Sequence, residues 1–193
     1  VFVWKRGLAV TGGPVGVLSA SGRGFNVITI DRSTGTAEDI QSFDTVANPA
    51  SNCQAFLDHV ASRVAGDVVL VGIDVSAFNV GVDWNNPVTT PCREALEQLG
   101  ATQVLAIGLR QGYGLIAVAG DPPANLAEGL SPAPSSPVPV HVSAEVFLDA
   151  DRDGLTDNVD ADNDNDGVPD VTEQENGTDI LDPGSQFNSY TPS

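Results

Sequence analysis

The stretch GFNVITIDRSTG, residues 24–35, decides how the chain is read. Val27, Ile28 and Ile30 are β-branched and already stiff at χ1, so an extended strand costs them little and a helix more. Ser33, Thr34 and Gly35 then supply turn chemistry, and a second short strand is expected around residues 37–43.

Helical and strand patterns alternate downstream. In NPASNCQAFLDHVASRVAG, residues 48–66, Phe56, Leu57, Val60 and Val64 fall at helical spacing; Asn52 or Ser51 can cap the helix and Gly66 can end it. DVVLVGID, residues 67–74, reads as a mostly buried strand. TTPCREALEQLG, residues 89–100, predicts a second helix with Thr90 as cap, Pro91 first, Glu94 three residues on and Gly100 as stop. QVLAIGL and GLIAVAG are expected as two strands around the turn RQGYG, residues 110–114. Residues 121–139 hold six of the 13 prolines and are expected to be a loop, before a last strand in VPVHVSAEVFL, residues 138–148. Toward the amino end, VFVWKRGLAV reads as the middle of one strand, broken by TGGPVG. This order predicts an α+β domain, residues 1–148, with a mixed sheet flanked by helices.

The formal charge of −18 is uneven: residues 149–182 carry −12 and the remainder −6, so an acidic tail, residues 149–193, follows a mildly acidic body. Eight basic residues are too few to displace counterions from DNA or RNA, and the same shortage disfavours anionic membrane surfaces. No stretch is apolar enough to span a bilayer. The opening does not look like a signal peptide, and we expect a piece of a longer, processed protein whose neighbouring domains complete it. Cys53 and Cys92 are compatible with one disulfide or with two free structural thiols.

The tail repeats itself at a shift of 13 residues: DADRDGLTDNVD begins at Asp149 and DNDNDGVPDVTE at Asp162. Both fit D-x-D-x-D-G-x-x-D-x-x-[DE], the ligand spacing of a twelve-residue calcium loop, in which alternate side-chain oxygens converge on one ion and Gly permits the sharp turn. The expected ligands are Asp149, Asp151, Asp153, Leu155 (carbonyl), Asp157 and Asp160, then Asp162, Asp164, Asp166, Val168 (carbonyl), Asp170 and Glu173. An all-oxygen set suits Ca2+ rather than zinc or copper. A solvated polyanion is the alternative, and long flanking helices are not expected. The tail resembles thrombospondin type 3 repeats, with ENGTDILDPGS as the lead-in to a further one. That resemblance implies an extracellular, calcium-stabilised spacer without catalysis.

Catalytic signals are sparse. His59 and His141 read as structural or exposed, and neither a nucleophile elbow nor a phosphate loop is present. Asp31, Asp39 and Asp44 leave a glycosidase-type carboxylate pair open, but the expectation is that this is not an enzyme.

GRGFNVITIDRSTGTAEDIQSFDT, GDVVLVGID and CREALEQLGATQVLAIGLRQGYGLIAVAG together are similar to the interleukin-like EMT inducer family, also called PANDER-like. The matching features are Gly-Arg-Gly-x-Asn at residues 22–26, Ser-Phe-Asp-Thr at residues 42–45, the strand ending at Asp74, the Leu99–Gly100 turn and then Arg110. The resemblance implies a compact β-β-α sandwich of twisted sheets with short helices. Some members are secreted and cytokine-like; in others the domain accompanies carbohydrate-active enzymes and binds a sugar, whose contacts would fall on Arg23, Asp74 and Arg110. Arg donors and an Asp acceptor can grip a diol, and Trp84 or Tyr113 could cover the sugar's apolar face. The bland readings are a turn-closing Arg23, a loop-capping Asp74, an Arg110–Asp74 ion pair and a Trp84 that merely packs. Gln111 stands where an acid commonly follows the late Arg, and VSAFNVGVDWNNPVTT replaces a shorter loop. The expected function is a non-catalytic carbohydrate-binding module (polysaccharide or glycan) of a secreted protein; the alternative is a protein–protein module, cytokine-like or adhesive.

Overall fold

The structure, a computed structural model, describes residues 2–4, 7–11, 17–20, 22–74, 76–79, 81–132 and 140–185. It divides into two units: one of Val1–Asp31 with Gly35–Glu145, the other of Arg32–Thr34 with Val146–Ser193.

In the first unit, β4 (Gly24–Ile30), β5 (Ala37–Phe43), β6 (Val68–Asp74), β7 (Tyr113–Val118) and β8 (Ala124–Leu130) form one sheet in the order β5-β4-β6-β7-β8. A second sheet holds β1 (Phe2–Trp4), β2 (Gly7–Thr11) and β3 (Val17–Ala20). Every pairing in both sheets is antiparallel, so the expected mixed sheet is corrected. Because β5 and β6 both run opposite to β4, they run the same way as each other. No tight hairpin can join them, and helix α1 (Pro49–Ala61) makes that crossover. Helix α2 (Thr90–Gln98) links β6 to β7.

Alternation sorts the side chains onto two faces. Phe25, Val27, Val69, Val71, Ile73, Leu115 and Ala117 join the core under the helices, with Phe56 and Val60 from α1 and Ala95 and Leu96 from α2. Ile28, Leu70 and Ile116 turn the other way and meet Val140 and Val142. The three-stranded sheet lies against β4 and β6. Cys53 of α1 is bonded to Cys92 of α2, settling the open question about the cysteines. Closing a loop of sequence separation 39 removes about 4 kcal/mol of unfolded-chain entropy in the loop-closure account.

Several local expectations are corrected. At the amino end, Phe2–Trp4 and Gly7–Thr11 form two paired antiparallel strands, not one. Beyond Thr11, TGGPVG lies outside the described residues. Helix α1 starts at Pro49, ahead of Ser51 and Asn52, because a proline at the first turn is pre-set in φ; Asn52 Nδ2–H instead donates to the Asp44 and Asn48 carbonyls. It stops at Ala61, and Gly66 turns the chain later, with φ 96°. The cap position of α2 is Thr89, whose hydroxyl bonds back to Asp83 and Asn86.

Residues 103–109 are not a strand. Val104–Ala106 is a 3₁₀ turn, which points Val104 and Ile107 inward three residues apart and leaves Leu105 67% exposed. The proline-rich segment contains β8, since its prolines lie at 122–123 and from 132 onward and leave residues 124–130 free to pair; residues 133–139 lie outside the described residues. Among the described residues of the expected last strand, 140–148, only His141 makes a bridge. Among the described residues no helix is long and apolar enough to cross a membrane.

The second unit is two consecutive acidic loops followed by helix α3 (Asp170–Asn176), which the sequence reading did not anticipate. Gly177 closes it in the left-handed conformation, φ 74°.

Candidate functional site

Three of the proposed sugar contacts reach one end of the five-stranded sheet. Gly24 is the register partner of Asp74, which puts Arg23 beside that strand end. Arg110 N–H donates to Ser76 Oγ at 3.2 Å, two residues beyond Asp74. Yet the local chemistry binds the protein to itself. Arg23 Nη2 pairs with Asp44 Oδ2 at 2.7 Å. Burial works against Asp44's charge, but the Ala47 amide and the Arg23 guanidinium outweigh it and hold the carboxyl below its ordinary range.

The family-like motifs explain each other here. Ser42 Oγ–H donates to Asn26 Oδ1 at 2.7 Å, and Asn26 Nδ2–H donates to the Gly22 carbonyl at 2.7 Å. Thr45 Oγ1–H reaches the Ala77 carbonyl. Gly24 sits at φ 87°, where a Cβ would collide with the Phe43 carbonyl oxygen. Gly22–Asn26 and Ser42–Thr45 therefore form one clasp that seats the entry of β4 against the end of β5. Gln111 is part of the framework as well: its side-chain carbonyl accepts from Gly108 N–H and its amide donates to the Ser131 carbonyl.

The two aromatic candidates are corrected. Tyr113 lies in β7, not in a loop, with no exposed surface, and its hydroxyl donates to Glu128 Oε1 at 2.8 Å. Burial first, then the Glu128 charge, drives its phenol far above the ordinary range. Trp84 is 5% exposed; its indole N–H donates to the Ile107 carbonyl at 2.9 Å, and its ring lies edge-on to Phe78 at 4.8 Å. Neither ring offers a face to a sugar. Sequence alone could not show this, because an aromatic reads the same in its local sequence whether it floors a pocket or fills a core.

Packing Trp84 inward creates a different feature. Ser76, Phe78, Trp84, Leu105, Ile107 and Leu109 are among the residues lining a surface groove of about 350 Å³. Leu105 and Leu109 stand 67% and 43% exposed at this groove. Of the carboxylates weighed for catalysis, Asp39 faces His59 and Arg63 at 3.6 and 3.8 Å, and Asp44 faces Arg23. Burial, then Arg63, keeps His59 below its usual pKa against the pull of Asp39; its ring packs on Phe43. His141 is exposed.

In the second unit, the two acidic loops repeat one backbone plan. The amide at loop position 2 donates to the ninth-position carboxylate (Ala150 to Asp157, Asn163 to Asp170). The amide at position 5 donates to the third-position carboxylate (Asp153 to Asp151, Asp166 to Asp164), and that at position 7 to the fifth (Leu155 to Asp153, Val168 to Asp166). Positions 4 and 6 are left-handed in both: Arg152 at φ 63° and Gly154 at 101°, Asn165 at 56° and Gly167 at 92°. The sequence pointed to the glycines; position 4 carried no such signal.

Of the carboxylates so engaged, Asp151, Asp164 and Asp166 keep their other oxygen buried and without a hydrogen-bond partner. Ligand-capable oxygens of Asp149, Asp151 and Asp153 lie within 4.8 Å of one another, as do those of Asp162, Asp164 and Asp166. Among the described residues of this unit, buried oxygens without a hydrogen-bond partner are Asp149 Oδ1, Asp151 Oδ2, Asp162 Oδ1, Asn163 Oδ1, Asp164 Oδ2, Asp166 Oδ2 and both oxygens of Glu173. Helix α3 carries Glu173, which has no exposed surface, to the second loop. Burial, then Asp164, Asp166 and Asp170, pushes its carboxyl up. Asp157 and Asp170 each commit one oxygen to an amide, and Asp160 Oδ1 accepts from Ala161 and Asp162.

A family model described as Interleukin-like EMT inducer matches residues 23–121, just over half of the 193-residue chain. No curated protein matches it.

Proposed function

Since the chain belongs to the interleukin-like EMT inducer family, we propose that its sheet-and-helix unit is a non-catalytic extracellular module that recognises a protein partner. The observation that carries this reading is the groove beside Trp84. Leucines left 67% and 43% exposed around an apolar floor are what a partner side chain covers. The disulfide suits an oxidising compartment. A polysaccharide or glycan ligand draws less support, because the rings proposed to stack on it are buried and Arg23 is engaged by Asp44.

Labelled protein is expected to bind saturably to cells or matrix. Leu105→Asp with Leu109→Asp should weaken that binding at least about tenfold. Protease treatment of the surface should abolish it and glycosidase treatment should spare it. The opposite enzymatic result, with the leucine variant unaffected and Arg110→Ala impaired, would reinstate the sugar reading.

The residues of the second unit fit Ca2+. Buried carboxylate oxygens cost several kcal/mol without a compensating charge, and here they face like charges. Asp149, Asp151 and Asp153 would hold one ion, and Asp162, Asp164, Asp166 and Glu173 a second, with the Leu155 and Val168 carbonyls and Asp160 completing the shells. A bound ion supplies the charge that lets these loops keep their shape. The segment then serves as a thrombospondin type 3-like spacer toward neighbouring domains of a longer chain.

A further inference from the structure

The two acidic loops share a backbone plan but not an electrostatic setting. Residues 162–173 hold five acids and no base, and Glu173 and Asp164, at 0% and 9% exposure, turn buried, partnerless oxygens inward. Residues 149–160 also hold five acids, and Asp149, 3% exposed, likewise turns Oδ1 inward without a partner. This first loop, however, already has a cation. Arg32 belongs to the same unit, and its side chain is 16% exposed. Its Nη1 stands 3.6 Å from Asp149 Oδ2, its Nε–H donates to the Phe147 carbonyl at 3.0 Å, and its own carbonyl accepts from Asp149 N–H at 3.3 Å. Three contacts to one short segment fix the guanidinium there. Arg152, at position 4, is a second base within the first loop.

We propose that Arg32 is a resident cation of the first loop that sets its affinity for divalent ions, so that the second loop fills first and the first only at higher calcium. The proposal rests on the calcium reading above. Its physical basis is charge count: affinity in oxygen-ligand loops rises with uncompensated carboxylates, and a fixed guanidinium beside the first ligand opposes an arriving dication. Arg32 is thus a positioning residue, holding Asp149 through Oδ2 while Oδ1 faces inward.

Calorimetric titration of the full chain with calcium chloride, after chelator treatment, tests it. Two steps are expected; Glu173→Gln should remove the tighter and Asp151→Asn the weaker. Arg32→Gln should tighten the weaker step by about tenfold, the size of one charge near a surface, and leave the tighter step alone. Arg32→Met, which keeps the aliphatic stem, should show the same gain, while Arg32→Lys, which keeps the charge, should stay near the unsubstituted value. A weaker step that is unmoved or loosened in both neutral variants overturns the proposal, since Arg32 would then only prop Asp149. No heat from the unsubstituted chain would instead overturn the calcium reading itself.

Discussion

Gly24 shows how much of this fold hangs on single positions. Its φ of 87° is a conformation that side chains other than glycine adopt only at a cost of about 1–2 kcal/mol. A methyl group there would also press into the Phe43 carbonyl and Thr45. Gly24→Ala is therefore expected to destabilise the first unit by at least about 2 kcal/mol in denaturant titration, whereas Gly66→Ala, with nothing within 4 Å, should cost less. Arg23 stands next to Gly24 and was read as a sugar contact. Its neighbours in the sequence are legible; its partner Asp44, 21 residues on, is not. Trp84 and Tyr113 are legible only in the same limited way. Residue type announces a large ring, but the groups that meet it come from distant segments: Phe25 of β4 and Ile107 for Trp84, Glu128 of β8 for Tyr113.

At the scale of elements, Glu128 ties β8 to the segment that follows α2. It accepts from the Thr102 amide and hydroxyl, the Gln103 amide, Asn125 Nδ2–H and the Tyr113 hydroxyl. Burial alone would raise its pKa, yet these donors prevail and hold it below the ordinary value. The sign follows: the folded form binds its proton less readily, so the stabilisation is full above the unfolded pKa of about 4.5 and fades as pH falls through the folded value. Unfolding measured from pH 6 to pH 3 should lose stability over that window, and Glu128→Gln should flatten the loss while lowering stability at pH 6. Element type was otherwise well marked for β4, β5, β6 and both longer helices. The misread elements, residues 103–109 and β8, are those where apolar spacing or proline density is ambiguous locally and pairing decided the outcome.

For the whole molecule, each unit has its own source of stability. The first has two apolar clusters and a disulfide; the second buries carboxylates around two loops with little apolar material. Chelation should therefore melt the second unit and spare the first. Proteolysis in EDTA is expected to cut within residues 146–185, and calcium at about 100 times its dissociation constant should restore about 2.7 kcal/mol. Cleavage at equal rates with and without calcium would count against this. By itself the sequence determined the α+β class, the acidic repeat and most of the strand–helix order, because periodicity, β-branching, glycine placement and charge spacing act over neighbouring residues. Only the tertiary structure decided the all-antiparallel pairing, the Cys53–Cys92 bond, the burial of Trp84 and Tyr113, the groove left beside them and the Arg32–Asp149 contact. Those depend on which distant segments pack together, and burial and ion pairing follow from that packing.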